Sequence, residues 1–252
     1  MMAGRIVVLI PHPDDEVAGC AAAVARARRE GARLFGLYLT TGIAPREALW
    51  PWQRARYAAL VARRRAEARL AAERLGIEVA HFSERPSRRL KNHLSEAAAE
   101  LRRALAQSAA ELVWAPAWEG AHQDHDTANF LAARVSGKTP VWEFAEYNYA
   151  GGMVRSQRFA DERGNETVLR LSPQEAAEKR ALLALYRSER GNLKHIQGEI
   201  ESFRPLPMHD YARAPHPGTL FRERFHWVPF RHPRIDFEPN RAIQAALAAF
   251  HS

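Results

Sequence analysis

Six consecutive residues, Pro11-His12-Pro13-Asp14-Asp15-Glu16, set an imidazole and two adjacent carboxylates directly after the apolar run Ile6-Val7-Val8-Leu9-Ile10. Much later, His122-Gln123-Asp124-His125 follows a second apolar stretch, Leu112-Val113-Trp114-Ala115. A catalytic zinc site keeps three N or O ligands and one open position, where a water's pKa falls to about 7. His12, Asp15 and His125 are the expected ligands of Zn2+ or another divalent metal. A strand turning into a helix lets His12 and Asp15 converge on one point. The third ligand comes from the C-terminal loop of a neighbouring parallel strand, the edge at which open α/β sheets bind their ligands.

The remaining residues of the two motifs take roles around that ion. Asp14 is free to accept a proton from the attacking water, as a carboxylate beside a metal does where no serine or cysteine nucleophile is available. His122, protonated or as a hydrogen-bond donor, faces the developing oxyanion, a contact worth about 3 to 4 kcal/mol in other systems. Asp14 and His122 are equally placed to protonate the leaving amine. Asp124 is expected behind the ligands, holding an imidazole in the right tautomer, with a helix cap as the competing role. Glu16 falls in a first helical turn, where an acidic residue suits the helix dipole.

Short apolar runs alternate with segments of 3.6-residue period, the signature of parallel strands joined by crossover helices. The expected fold is α/β: a Rossmann-like, mostly parallel sheet with helices on both faces, plus an irregular C-terminal extension. A helix is predicted over Glu16–Glu30, a strand over Leu34–Leu39, and a long helix through Tyr57, Ala68 and Leu75 that Gly76 ends. Between the last two, Pro45, Trp50, Pro51 and Trp52 mark a substrate lip. A strand at Ile77–Phe82, a helix through Leu94–Leu105 and the strand at Leu112 complete the parallel core. Val141–Tyr147 reads as a strand, and Gly151–Leu171 as a hairpin turning at Arg163-Gly164-Asn165. Ser172-Pro173-Gln174-Glu175 is a capping box opening a helix that Gly191 ends. The domain is set at residues 1–200. Residues 201–252, rich in proline, arginine and aromatics, form an extension packed on the same domain or on a neighbouring subunit, with a last helix at Asn240–Phe250.

The two chemical motifs resemble those of the PIG-L or LmbE-like deacetylases, zinc enzymes that remove acyl groups from N-acetylglucosamine-type amides. Lys179 through Arg187-Ser188-Glu189, and the helix around Arg64 and Glu67, also fall where that family has them, so the resemblance spans residues 1–190. It implies the same assignments: His12, Asp15 and His125 on zinc, Asp14 as general base, His122 at the oxyanion. It adds Arg64, from Arg64-x-x-Glu67 before Leu75-Gly76, as a substrate-binding residue reaching a sugar hydroxyl or phosphate. The chain departs from the common pattern at Gln123, where proline is usual, and at Glu189, where glutamine is frequent.

Composition narrows the partners. The 252 residues, 46% hydrophobic, suffice for one large domain. No apolar run reaches the length of a membrane span or a signal core, so a soluble, cytoplasmic protein is expected. A single cysteine, Cys20, forms no internal disulfide and reads as a small buried residue. The net charge of +8 comes mostly from arginines, spread along helices without interleaved aromatics. That counts against nucleic acid, and the missing G-x-G-x-x-G after the first strand counts against a dinucleotide. The expected partner is a small N-acetylated sugar or conjugate, with a homo-oligomer also expected from the C-terminal region. The competing readings are an amidase for a non-sugar N-acyl compound and a basic nucleotide or nucleic-acid binding module.

Overall fold

The computed structural model describes residues 2–196 and 198–251. Five parallel strands carry the chemistry: β1 (Arg5–Ile10), β2 (Arg33–Tyr38), β3 (Ile77–Phe82), β4 (Leu112–Pro116) and β5 (Val141–Phe144). Helices α1 (Asp15–Ala18) and α2 (Ala21–Arg29) join β1 to β2, and α3 (Pro51–Arg54) and α4 (Tyr57–Leu75) join β2 to β3. Helices α5 (Leu94–Ser108) and α6 (Gln123–Val135) flank β4. After β5 come β6 (Tyr147–Asn148), β7 (Arg155–Ser156), β8 (Thr167–Arg170), α7 (Pro173–Leu183), β9 (Ile200–Pro205) and α8 (Asn240–Ala248).

The main sheet has the order β3-β2-β1-β4-β5-β9-β8, with β9 antiparallel to both of its neighbours, β5 and β8. Alternate residues of β1 feed two cores, as a strand buried on both faces must. Ile6, Val8 and Ile10 pack against α2 and α4, whereas Val7 and Leu9 pack against α5, α6 and α8. From β1 the chain runs outward to β2 and β3, then returns to place β4 on the other side. That reversal is a topological switch point, and a crevice opens there beyond the strand ends. The His12 loop leaves β1 and the His122 loop leaves β4, so both motifs face the same crevice.

Three expectations are corrected. The helix predicted over Glu16–Glu30 breaks at Gly19-Cys20, because the buried Glu201 carboxylate accepts the Ala22 and Ala23 N–H groups at 3.0 and 2.8 Å and starts α2 afresh. Gly19 is required there, since a Cβ would lie 2.4 Å from the Phe144 ring. The hairpin expected over Gly151–Leu171 does not form. Its first arm, β7, pairs with β6, and its second, β8, pairs with β9 as the sheet edge. The helix opened by Ser172 has the expected capping box, yet it ends at Leu183 rather than at Gly191. Strand β9 lies in the main sheet between β5 and β8, and the irregular segment follows Pro205. Ile243 and Leu247 of α8 are buried in the second core.

Glu201 also holds the buried Lys179 ammonium at 2.9 Å. Replacing Glu201 with leucine is expected to destabilise the fold by about 3 to 5 kcal/mol, since it strands a buried ammonium and two helix N–H groups. Equilibrium denaturant unfolding measures it, and a loss under about 1 kcal/mol would mean that the carboxylate does not carry this joint.

Candidate metal centre

The Pro11–Glu16 loop is held at a backbone group of each of four successive residues. Thr40 Oγ1 donates to the Pro11 carbonyl at 2.7 Å, and the His12 N–H donates to Asp15 Oδ2 at 2.8 Å. Arg64 Nη1 donates to the Pro13 carbonyl at 3.1 Å, and the Asp14 N–H to Glu16 Oε2 at 3.1 Å. Glu16 is anchored in turn by a hydrogen bond from the Tyr186 hydroxyl, and burial pushes its carboxyl up to about 7. Gly42, at φ +69°, lets Arg64 through: a Cβ there would sit 2.9 Å from both Arg64 Nη1 and Pro13 Cδ.

Three donor atoms converge within this frame. His12 Nδ1 lies 3.2 Å from His125 Nε2 and 3.3 Å from Asp15 Oδ2, and His125 Nε2 lies 3.2 Å from the same oxygen. Neighbouring ligands on a tetrahedral ion with bonds of about 2.0–2.1 Å are separated by about 3.3 Å. The buried His/Asp cluster is therefore capable of chelating a divalent metal. The electrostatics agree. Burial works against charge on His12, yet Asp15 and Asp124 outweigh it and raise the imidazole to about 10. Burial likewise opposes charge on Asp15, but His125 and His12 hold its carboxyl well below the usual range. The pocket favours positive charge.

A second triad, His12, His122 and Asp124, is equally compact, but its atoms are already occupied. Asp124 accepts the Arg88 and Leu90 N–H groups at 2.6 and 3.2 Å and meets His12 Nε2 at 2.9 Å. His122 Nδ1 accepts the Asp124 N–H at 3.1 Å, capping α6. Asp124 thus fixes the His12 ring so that Nδ1 faces Asp15 and His125, the arrangement in which carboxylates behind a ligating histidine set its tautomer.

Asp14 sits beside the triangle with its backbone at φ +125°, ψ −24°, outside the regions open to L-residues. Burial pushes its carboxyl well above the usual range, against the pull of Arg64. The His122 ring packs on His12 with centroids 4.4 Å apart, and burial, then His12, holds its pKa well below 6.5.

Arg64 is 1% exposed. Besides Pro13 it reaches Asp14 Oδ2 at 3.4 Å and Ser188 Oγ at 2.8 Å, and it pairs with Glu189. Every donor nitrogen is turned toward the protein, so it braces the loop from behind. Glu189 gives that guanidinium a charged partner. Gln123, the other departure from the common pattern, uses its carboxamide to bridge Lys91 and Asp236, tying the C-terminal extension to the His122 loop. Arg222 adds a second tie through Asp126, whose other oxygen accepts the Glu119 and Gly120 N–H groups.

Sequence reasoning missed Glu119, Glu146 and Arg222. Glu119 is buried and accepts the Glu146 and Tyr147 N–H groups at 2.9 and 3.0 Å, and burial pushes its carboxyl up to about 8. Burial also drives Glu146 well above the usual range, with Asp15, Glu119 and Asp14 adding to it. Two glutamates, Glu143 and Glu146, in the otherwise apolar run Val141–Tyr147 are a legible signal, since ionisable residues are seldom fully buried without a reason.

Fold and site together define an α/β protein with a His/Asp centre for a divalent metal at the switch point of its sheet. The sequence profile of PIG-L, described as GlcNAc-PI de-N-acetylase, matches residues 7–136, more than half of the chain. The chain belongs to that family. No protein of curated function matches it. Among solved structures, a deacetylase of the teicoplanin biosynthesis pathway is 21% identical, covering 82% of this chain and 99% of its own, with a TM-score of 0.64. GalB, the 4-carboxy-2-hydroxymuconate hydratase of Pseudomonas putida KT2440, is 17% identical, with 82% and 97% covered and a TM-score of 0.57. N,N'-diacetylchitobiose deacetylase from Pyrococcus horikoshii is also 17% identical, with 81% and 84% covered and a TM-score of 0.54. At these identities they share the fold.

Proposed function

We propose that this protein is a zinc-dependent hydrolase that removes an N-acetyl or other N-acyl group from an N-acetylglucosamine-type sugar or conjugate. The observation that carries the reading is the triangle of His12, Asp15 and His125 with Asp14 and His122 adjoining it. Family membership supports deacetylation over the hydration chemistry of GalB. When bound, zinc polarises the acyl carbonyl and acidifies a water to a pKa of about 7.

The chain's own groups do the rest. Asp14 takes the proton of the attacking water, and its buried site favours holding that proton. His122 accepts the Asp124 N–H through Nδ1, so its neutral ring carries the proton on Nε2 and offers it to the oxyanion. A neutral imidazole has no acidic proton for an amine, which assigns delivery to the leaving group to Asp14. Arg64 and Glu189 keep the Asp14 carboxylate in place, a role we prefer to direct substrate contact. Replacing His122 with alanine is expected to lower kcat by about 10²- to 10³-fold with KM little changed, the effect of losing one oxyanion donor. A kcat within about threefold of the parent would remove that role.

Amine release from a panel of N-acetylglucosamine derivatives and non-sugar N-acyl amides tests the whole reading. Strict preference for non-sugar amides would sink the sugar assignment, and hydration of a hydroxymuconate-type alkene without amide cleavage would sink the hydrolase. Metal-independent, salt-sensitive DNA binding would revive the binding module. That reading is weakened by the many arginines already paired on the surface, such as Arg26 and Arg29 with Glu175 and Arg74 with Glu178. A cytoplasmic location is part of the proposal; among the described residues no helix is long and apolar enough to cross a membrane.

A further inference from the structure

Glu143, in β5, and Glu146, just past its end, are both fully buried, and they are treated differently. Glu143 meets Arg204 Nε at 2.6 Å, Asn129 Nδ2 at 2.8 Å and His209 Nε2 at 2.9 Å. Glu146 has its backbone satisfied, its N–H by Glu119 and its carbonyl by the Gln157 N–H, but neither carboxyl oxygen has a hydrogen-bond partner. A second buried atom beside it is equally unpartnered. It is His125 Nδ1, 3.9 Å from Glu146 Oε1. Burying a polar group without a partner is unfavourable enough that native structures keep few such atoms. Here an unpaired acceptor faces an unpaired ring nitrogen, directly behind a residue of the metal cluster.

We propose that Glu146 is a positioning residue for His125: a carboxyl oxygen accepts the Nδ1–H of the ring, which leaves the Nε2 lone pair turned toward His12 and Asp15. It would be the counterpart of Asp124, which holds His12 at the opposite nitrogen. The two histidines enter the cluster through different atoms, His12 by Nδ1 and His125 by Nε2, so each needs its own partner on the far side of its ring. Without an acceptor at Nδ1, a neutral His125 is free to carry its proton on Nε2, the tautomer that cannot ligate. Glu146 also faces Asp15, but Asp15 Oδ2 is already engaged by the His12 N–H and by both imidazoles. The inference deepens the zinc reading and rests on it for its purpose, although the tautomer itself does not depend on metal.

Two variants and two readouts test it. Glu146→Gln keeps an acceptor oxygen, and Glu146→Leu removes it. The His125 tautomer is read by long-range ¹⁵N–¹H NMR without added metal, and zinc affinity by competition with a chromogenic chelator. The parent and Glu146→Gln are expected to hold the proton on Nδ1, and Glu146→Leu to populate the Nε2–H form. Zinc affinity should fall about 10- to 100-fold in Glu146→Leu and stay within about threefold in Glu146→Gln. The thermal midpoint of metal-free Glu146→Leu should be unchanged or higher, because an unpaired buried carboxyl has gone; a merely structural role would lower it. An unchanged tautomer in Glu146→Leu overturns the inference, as do equal zinc affinities in parent and Glu146→Leu. A parent that binds no zinc, with a tautomer that still follows Glu146, would defeat the hydrolase reading and leave the positioning role standing.

Discussion

Replacing Asp14 with alanine is expected to lower the turnover of amide cleavage by about 10²- to 10⁴-fold, the range for loss of a positioned general base, with zinc still bound. The side chain is not among the converging donor atoms, so the cation site survives it. The backbone gives this prediction its control. Asp14 is held at φ +125° because its carbonyl accepts the Val17 and Ala18 N–H groups at 3.0 and 2.8 Å and its N–H is taken by Glu16. Such a conformation costs a non-glycine residue about 1 to 3 kcal/mol. Asp14→Gly should therefore be as inactive as Asp14→Ala yet more stable by about 1 kcal/mol or more. Thermal unfolding beside a kcat measurement reads both, and full activity in either variant would end the general-base assignment.

The paired substitution of His12 and His125 by alanine is expected to abolish zinc binding, taking elemental analysis from close to one ion per chain to none. In the parent, free zinc at a thousandfold excess over Kd should add about 4.1 kcal/mol of stability. For a chain of this size that corresponds to a rise in Tm of roughly 8 to 16 °C, and the double variant should show no rise. Equal metal content in both proteins would place the ion elsewhere and remove the basis of the hydrolase reading. Chelation of the parent should abolish turnover and added zinc restore it.

The metal motifs were legible because each is local. His12 and Asp15 are three residues apart at a strand end, and His122 and His125 bracket the first turn of a helix whose N-terminus His122 itself caps. Parallel strands were legible for the same reason: a strand buried on both faces reads as an unbroken apolar run, as Ile6–Ile10 does. Legibility ended where partners are distant. The helix break at Gly19 depends on Glu201, and the fate of β8 depends on β9. The enclosure of Arg64 depends on Ser188 and Glu189.

Sequence alone determined the element types of the parallel core, the residues able to ligate a metal and the carboxylate next to them, since these follow from short-range periodicity and side-chain chemistry. Tertiary structure decided which triad is free. Asp124 is saturated by backbone donors from Arg88 and Leu90, which leaves Asp15 to complete the triangle with the two imidazoles. It also decided that Gln123 and Asp126 fasten the C-terminal extension, through Asp236 and Arg222, to the loop carrying His122. A hydrogen bond is made in space, between atoms that the chain brings together only after the sheet has closed around its switch point.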